Sequence, residues 1–198
     1  MKKFGYLLIS SCLFLAVGCG DDAPDPPTPD AAPDVDAPVD PVQDCAMYCD
    51  TVTSNCVGND NQFGPDLCSN VCASWAVGTP DDQAGNTLGC HIYHSTAAAG
   101  DPTTHCPHGG PTGADVCGAP CDNFCELALT ACVGANEQYA DMATCLAECN
   151  AFDMATPYNA DQISGDTFAC RFYHLTAAAT DPETHCAHIV AASTVCIP

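Results

Sequence analysis

The spacing of the cysteines constrains this chain more than any other feature. Sixteen of its 18 cysteines form two sets of eight. The first is Cys45, Cys49, Cys56, Cys68, Cys72, Cys90, Cys106 and Cys117. The second is Cys121, Cys125, Cys132, Cys145, Cys149, Cys170, Cys186 and Cys196. Successive gaps are 4, 7, 12, 4, 18, 16 and 11 in the first and 4, 7, 13, 4, 21, 16 and 10 in the second. The chain therefore carries one module twice. Each copy has roughly 75 residues, a size at which a core is thin and covalent staples are usual.

The compartment decides what these cysteines do. Lys2 and Lys3 precede the apolar run LLISSCLFLAV, which is too short to cross a bilayer comfortably and has the build of an export signal. It ends in Leu15-Ala16-Val17-Gly18-Cys19. Small residues just ahead of a cysteine resemble the lipobox of bacterial lipoproteins, although Ala16 stands where leucine is usual. The resemblance implies cleavage after Gly18 and acyl chains, palmitate among them, on Cys19. The chain is then expected to be lipid-anchored to the bacterial envelope at the outer membrane, on its periplasmic side or at the cell surface. Exported cysteines of even count and regular spacing read as disulfides.

Residues 1–18 are thus expected to be signal peptide. Residues 19–44 are expected to be the lipidated Cys19 and a linker, with repeat 1 at 45–119 and repeat 2 at 120–198. From residue 20 to residue 44 there are seven prolines, eight aspartates and no aromatic side chain. Such a segment cannot bury enough apolar surface to order itself. As extended polyproline it would reach on the order of 75 Å, at ~3.1 Å per residue. Loss of residues 1–18 leaves Arg171 as the one basic side chain against 25 acidic ones. That balance excludes nucleic acid as a partner, since phosphate contacts need Lys and Arg. The expected partners are the membrane, through the lipid, and a surface or periplasmic protein.

Within each module the cysteines follow a helical period. DCAMYCDTVTSNC and CDNFCELALTAC place them at i, i+4 and i+11, on one helix face. PDLCSNVCASW and MATCLAECNAF repeat the i, i+4 pair. Two C-x3-C helices joined by a loop resemble the twin CX3C hairpins of small mitochondrial import chaperones and CHCH-type proteins. The resemblance covers residues 45–72 and 121–149. It implies the bridges Cys45–Cys72, Cys49–Cys68, Cys121–Cys149 and Cys125–Cys145. Partners within Cys56, Cys90, Cys106 and Cys117, and within Cys132, Cys170, Cys186 and Cys196, stay open; a Cys90–Cys106 bridge is one arrangement.

Two further helices follow in each copy. Asn86/Thr87 and Asp166/Thr167 are N-cap candidates. Asp101-Pro102 and Asp181-Pro182 supply a cap followed by a proline at the first helical position. The last helix of copy two can run from Pro182 towards Val195, whereas His108-Gly-Gly-Pro breaks its counterpart early. The expected fold is all-α: two tandem disulfide-rich domains of about four short helices each.

Cys90–His108 and Cys170–His188 agree at 13 of 19 positions and hold all seven histidines. Outside these segments the copies share few residues besides cysteine: Val57, Gly58, Gln62, Gly85 and Thr87 in copy one. His94, His105 and His108 match His174, His185 and His188, while Arg171 stands opposite His91. A Cys90–Cys106 bridge would bring His94 close to the other two imidazoles, a set suited to Zn or Cu with an open position. Set against this, histidines also cap helix ends, and His105 can bond back to the preceding helix terminus. No C-x-x-C-H for covalent haem, no P-loop, no H-E-x-x-H and no G-x-S-x-G is present. The expectation is a non-enzymatic lipoprotein with a structural or protein-interaction role and no cofactor; the alternative is one tri-histidine Zn or Cu site per repeat.

Overall fold

We describe residues 41–198 of a computed structural model. The expected signal, the lipidation site Cys19 and the linker up to residue 40 lie outside those residues. Eight α-helices follow one another: α1 Pro41–Asn55, α2 Cys68–Cys72, α3 Leu88–Ala97, α4 Pro102–Gly109, α5 Pro120–Ala131, α6 Met142–Cys149, α7 Phe168–Ala178 and α8 Pro182–His185. Four belong to each copy. Among the described residues there is no strand, only an isolated bridge between Ala76 and Thr87. No helix among them is long and apolar enough to cross a membrane. The last four residues assigned to the linker are already helical, because Pro41 opens α1 where its missing N–H costs nothing.

The C-x3-C helices pair as hairpins. Cys45–Cys72, Cys49–Cys68, Cys121–Cys149 and Cys125–Cys145 are bridged, with Cα–Cα distances of 5.7–5.8 Å. A bridge between Cys90 and Cys106 does not form. Cys56 pairs with Cys106 and Cys90 with Cys117; in copy two Cys132 pairs with Cys186 and Cys170 with Cys196. The reason is one of rise. Cys90 lies about two turns before the α3–α4 corner, whereas Cys106 lies only about one turn after it. Cys106 is therefore level with a later part of α3 and faces the end of α1. Cys90 instead meets Cys117 as the chain returns. Each bridge typically contributes about 2–4 kcal/mol, chiefly through the unfolded chain.

Inside the staples sit small aromatic cores. Tyr48 meets Phe63 and Trp75 edge-on in copy one. At the same place in copy two, Phe124 meets Phe152, Phe168 and Phe172, with ring centroids 5.8–5.9 Å apart. The capping expectations hold. Thr87 and Thr167 accept from the backbone N–H of Cys90 and Cys170, and Asp101 and Asp181 accept from Thr104 and Thr184.

The last helix of copy two is shorter than its sequence suggests. It stops at His185 and continues as one 3-10 turn, Cys186–His188. In copy one Gly109 presses on α3, and a Cβ there would lie 2.7 Å from the Ser95 nitrogen. The matching residue is Ile189, fully buried, so its side chain needs room and the backbone turns away. Tertiary bonds then take the carbonyls: Tyr139 donates to Ile189 O and Arg171 to Val190 O.

The two copies touch. Ala160 N–H donates to Asn61 O at 2.9 Å, Tyr158 to Gln62 O at 3.2 Å and Asn70 to Thr180 Oγ1 at 2.9 Å. Asn123, at the start of α5, donates to Cys117 O at 2.8 Å.

Candidate metal centre

The α3–α4 corner gathers three imidazoles. His94 sits on α3 one turn before its end, while His105 and His108 lie on α4 at i, i+3. Asp101 and Pro102 start α4 at a set phase, which turns both histidines towards α3. His94 Nδ1 and His105 Nδ1 are 3.0 Å apart, and His94 Nε2 donates to Gln83 O at 3.2 Å. His94 is buried, the other two are partly so, and one ring nitrogen from each falls within a common 4.8 Å.

Copy two repeats the arrangement although its last helix has changed form. His174 Nδ1 lies 3.0 Å from His185 Nδ1 and 3.4 Å from His188 Nδ1, and His174 Nε2 donates to Ile163 O at 3.3 Å. A metal ~2.0–2.1 Å from each nitrogen at tetrahedral angles sets nitrogen–nitrogen edges of about 3.3 Å. The two edges at His174 Nδ1, 3.0 and 3.4 Å, bracket that value, and the remaining edges of both clusters fall within 4.8 Å. The outer nitrogens of His94 and His174 are held by backbone carbonyls, as ligating histidines usually are.

Proton counting points the same way. A carbonyl only accepts, so Nε2 of His174 carries the hydrogen and its Nδ1 is bare when the ring is neutral. That single lone pair faces two other Nδ1 atoms and can accept well from one. In copy one the unsatisfied member is visible: His108 Nδ1 is buried with no hydrogen-bond partner. Such an orphan costs about 1–3 kcal/mol unless something else meets it. Burial, and then the neighbouring imidazole of His188, pushes His174 down to about 4. Burial first, then the other histidines, also lowers His108 and His185. These rings are neutral at pH 7, the form that ligates.

His94 also lies beside Cys90 and Cys117, and His174 beside Cys170 and Cys196. Those sulfurs are bound in disulfides and offer no thiolate. The capping reading fits none of the three, since the carbonyl that His94 bonds, Gln83 O, lies in the loop ahead of α3. Among the described residues His105 bonds His94 and no helix terminus.

The same site thus stands once in each duplicated unit. The model of the BfoA family C-terminal domain matches residues 42–122 and again residues 118–195. The chain belongs to the BfoA C-terminal domain family. No curated protein and no solved structure matches it.

Each BfoA domain fixes the end of its last helix, or the segment just beyond it, through one residue on α3 or α7, and the chemistry differs between the two. In the second, Arg171 donates to Val190 O at 3.2 Å and to Thr167 O at 3.1 Å, pairs with Asp166 at 2.6 Å, and lies 4.4 Å over the ring of Phe152. In the first, His91 stacks on Trp75 with centroids 3.7 Å apart, and its nitrogens face Asn86 Oδ1 at 3.0 Å and Gly109 O at 3.3 Å. A charged Arg/Asp pair has been exchanged for a neutral His/Asn pair. Sequence comparison marked His91 against Arg171 as unmatched; the compensating change from Asp166 to Asn86, five residues upstream, is the signal that would have linked them.

His91 makes the first domain acid-sensitive. Complete burial holds its imidazole down to about 3, below the usual 6.5. The unfolded chain therefore binds this proton first, so stability is full above pH 6.5 and falls as pH drops towards 3. At ~1.36 kcal/mol per pH unit, the loss is on the order of 2 kcal/mol by pH 5. Denaturant midpoints from pH 7 to pH 5 should show this slope, and His91→Asn should remove His91's share of it, leaving the part due to His108, His174 and His185. An unchanged slope in the variant would remove His91 as a source of it.

Proposed function

We propose that each BfoA domain of this chain binds one transition-metal ion, zinc or copper, through three histidines. His94, His105 and His108 form one site, and His174, His185 and His188 the other. The observation that carries this reading is the convergence of imidazole nitrogens that cannot all satisfy one another. A cation supplies the missing partner. Imidazole suits zinc and copper, while an oxygen-preferring ion such as calcium would favour the plentiful carboxylates. Three protein ligands leave a fourth position for water or a small anion.

The role proposed is binding, without catalysis, at the envelope. The export signal and the lipobox-like Cys19 support anchoring there, and the acidic proline-rich stretch supports display away from the membrane. Metal binding ranks ahead of a purely structural or protein-interaction role because the histidines supply few of the helix-end bonds such a role would give them.

Elemental analysis of the full exported chain after dialysis tests the proposal. Two equivalents of zinc or copper per chain are expected. Replacing all six histidines by Ala should abolish them with the helical content intact. Equal metal in the six-histidine variant would assign binding to the carboxylates instead, and a metal-free wild type would end the proposal.

A further inference from the structure

The duplication carries a second piece of information, about surfaces. Val77-Gly-Thr-Pro80 in the first repeat matches Met154-Ala-Thr-Pro157 in the second, and each segment lines a shallow apolar pocket beside the third helix of its copy. The pocket of repeat 2 is completed by repeat 1, through Pro107, Thr112, Ala114 and Asp115. The pocket of repeat 1 is lined by its own residues alone, among them Met47, Val77, Pro80 and Ile92.

Exposure follows the same division. Asn123 on α5 is 3 % exposed, because the 111–118 segment of repeat 1 covers it and accepts its amide hydrogens at Cys117 O. Its counterpart Met47 on α1, also two residues after the first cysteine, is 51 % exposed. The covering segment shows the reverse pattern. Pro111 and Thr112 are buried against repeat 2, while Ala191 and Ala192, at the same distance from the preceding cysteine, are exposed. One half of the internal interface is thus left free at each end of the pair.

The chemistry of both free halves suits a contact with no water between. Residues 187–198 carry no charged side chain, and neither do Met47, Val77, Pro80 or Ile92, in a chain of formal charge −22. We propose that two copies of the chain associate head to tail, with the Ala187–Pro198 segment of one seated on the Met47–Val77–Ile92 face of the next. The contact uses the faces that correspond to those joined between repeats 1 and 2, with Met47 in place of Asn123. It is heterologous, so it leaves a free half on each partner and continues into short arrays. It stands independently of metal binding.

Two exposed substitutions test it without touching the staples. Met47→Asp blocks the receiving face and Ala192→Asp blocks the inserting segment. The measurement is sedimentation velocity of the full mature chain in density-matched detergent. Wild type should show a mass that rises with concentration to at least twice that of one chain. Each variant alone should stay at one chain mass. An equimolar mixture should reach two chain masses and no more, because each variant keeps the half the other has lost. Monomeric wild type at concentrations up to about 1 mM, equivalent to ~4 kcal/mol of binding, would overturn the proposal. So would a mixture that stays monomeric while wild type associates, since the contact would then lie elsewhere.

Discussion

His174→Ala is expected to halve the bound metal, from two equivalents to one, and to leave the site of the first domain intact. His174 is the hub of its cluster. Its Nδ1 faces both of the other nitrogens, and its Nε2 is held by Ile163 O. Loss of the hub leaves two imidazoles on the short α8 and its 3-10 turn with nothing to set their spacing. Affinity at that site should fall at least a hundredfold, which is about 2.7 kcal/mol. Competition with a chromophoric chelator reads this as one tight and one weak step where wild type shows two tight ones. Tyr173→Phe, on the same helix, should leave both steps unchanged. Two tight steps in the His174→Ala chain would show that the histidines are not the ligands.

Arg171→Ala should be the most destabilising change outside the cysteines. The guanidinium is 2 % exposed, and it answers the carbonyls of Thr167 and Val190 while covering Phe152. Removing it strands those carbonyls and opens a void, at a cost of about 3–5 kcal/mol. Asp166→Asn should cost less, about 1–2 kcal/mol, because that carboxylate is half exposed and water can replace part of its role. Chemical denaturation with the disulfides intact separates these values. The pair Asp166→Asn with Arg171→His, which writes the first domain's solution into the second, should recover part of the loss relative to Arg171→Ala. No recovery would mean that Trp75, and not the polar pair, is what makes His91 acceptable.

Much of the architecture was legible because it depends on local chemistry. Thr87, Asp101 and their counterparts act as caps for reasons contained in three or four consecutive residues. The few residues the two copies share outside the histidine segment have local reasons too. Gly58 and Gly134 have φ of 63° and 62°, and Gly85 and Gly165 have φ of 87° and 98°, conformations in which a side chain is strained. Gln62 and Gln138 each donate to a carbonyl two residues back, at 2.9 Å. The identical histidines have no such local reason. Their agreement between copies was the clue to the site, and the contacts among them now supply its physical basis.

The path to that site was nevertheless different from the one expected. A Cys90–Cys106 bridge was the argument for bringing His94 to His105 and His108, and that bridge does not exist. The imidazoles converge because the Asp-Pro corner folds α4 back on α3, with Gly109 allowing close approach in the first domain and a 3-10 turn replacing it in the second. Disulfide partners within the last four cysteines depend on where the chain returns after the histidines, which no spacing rule encodes.

The resemblance to twin CX3C hairpins implied the hairpin staples, and the sequence alone determined the duplicated, all-helical modules, the caps and the identity of the six matched histidines. Each follows from covalent spacing or from interactions within a helical turn, and these do not change with the surroundings. Only the tertiary structure decided which cysteines close the α3–α4 and α7–α8 corners, why Asn86 accompanies His91, and which faces of the two copies are covered. Those outcomes depend on distances between segments far apart in the chain, fixed when the aromatic cores pack and the second copy settles on the first.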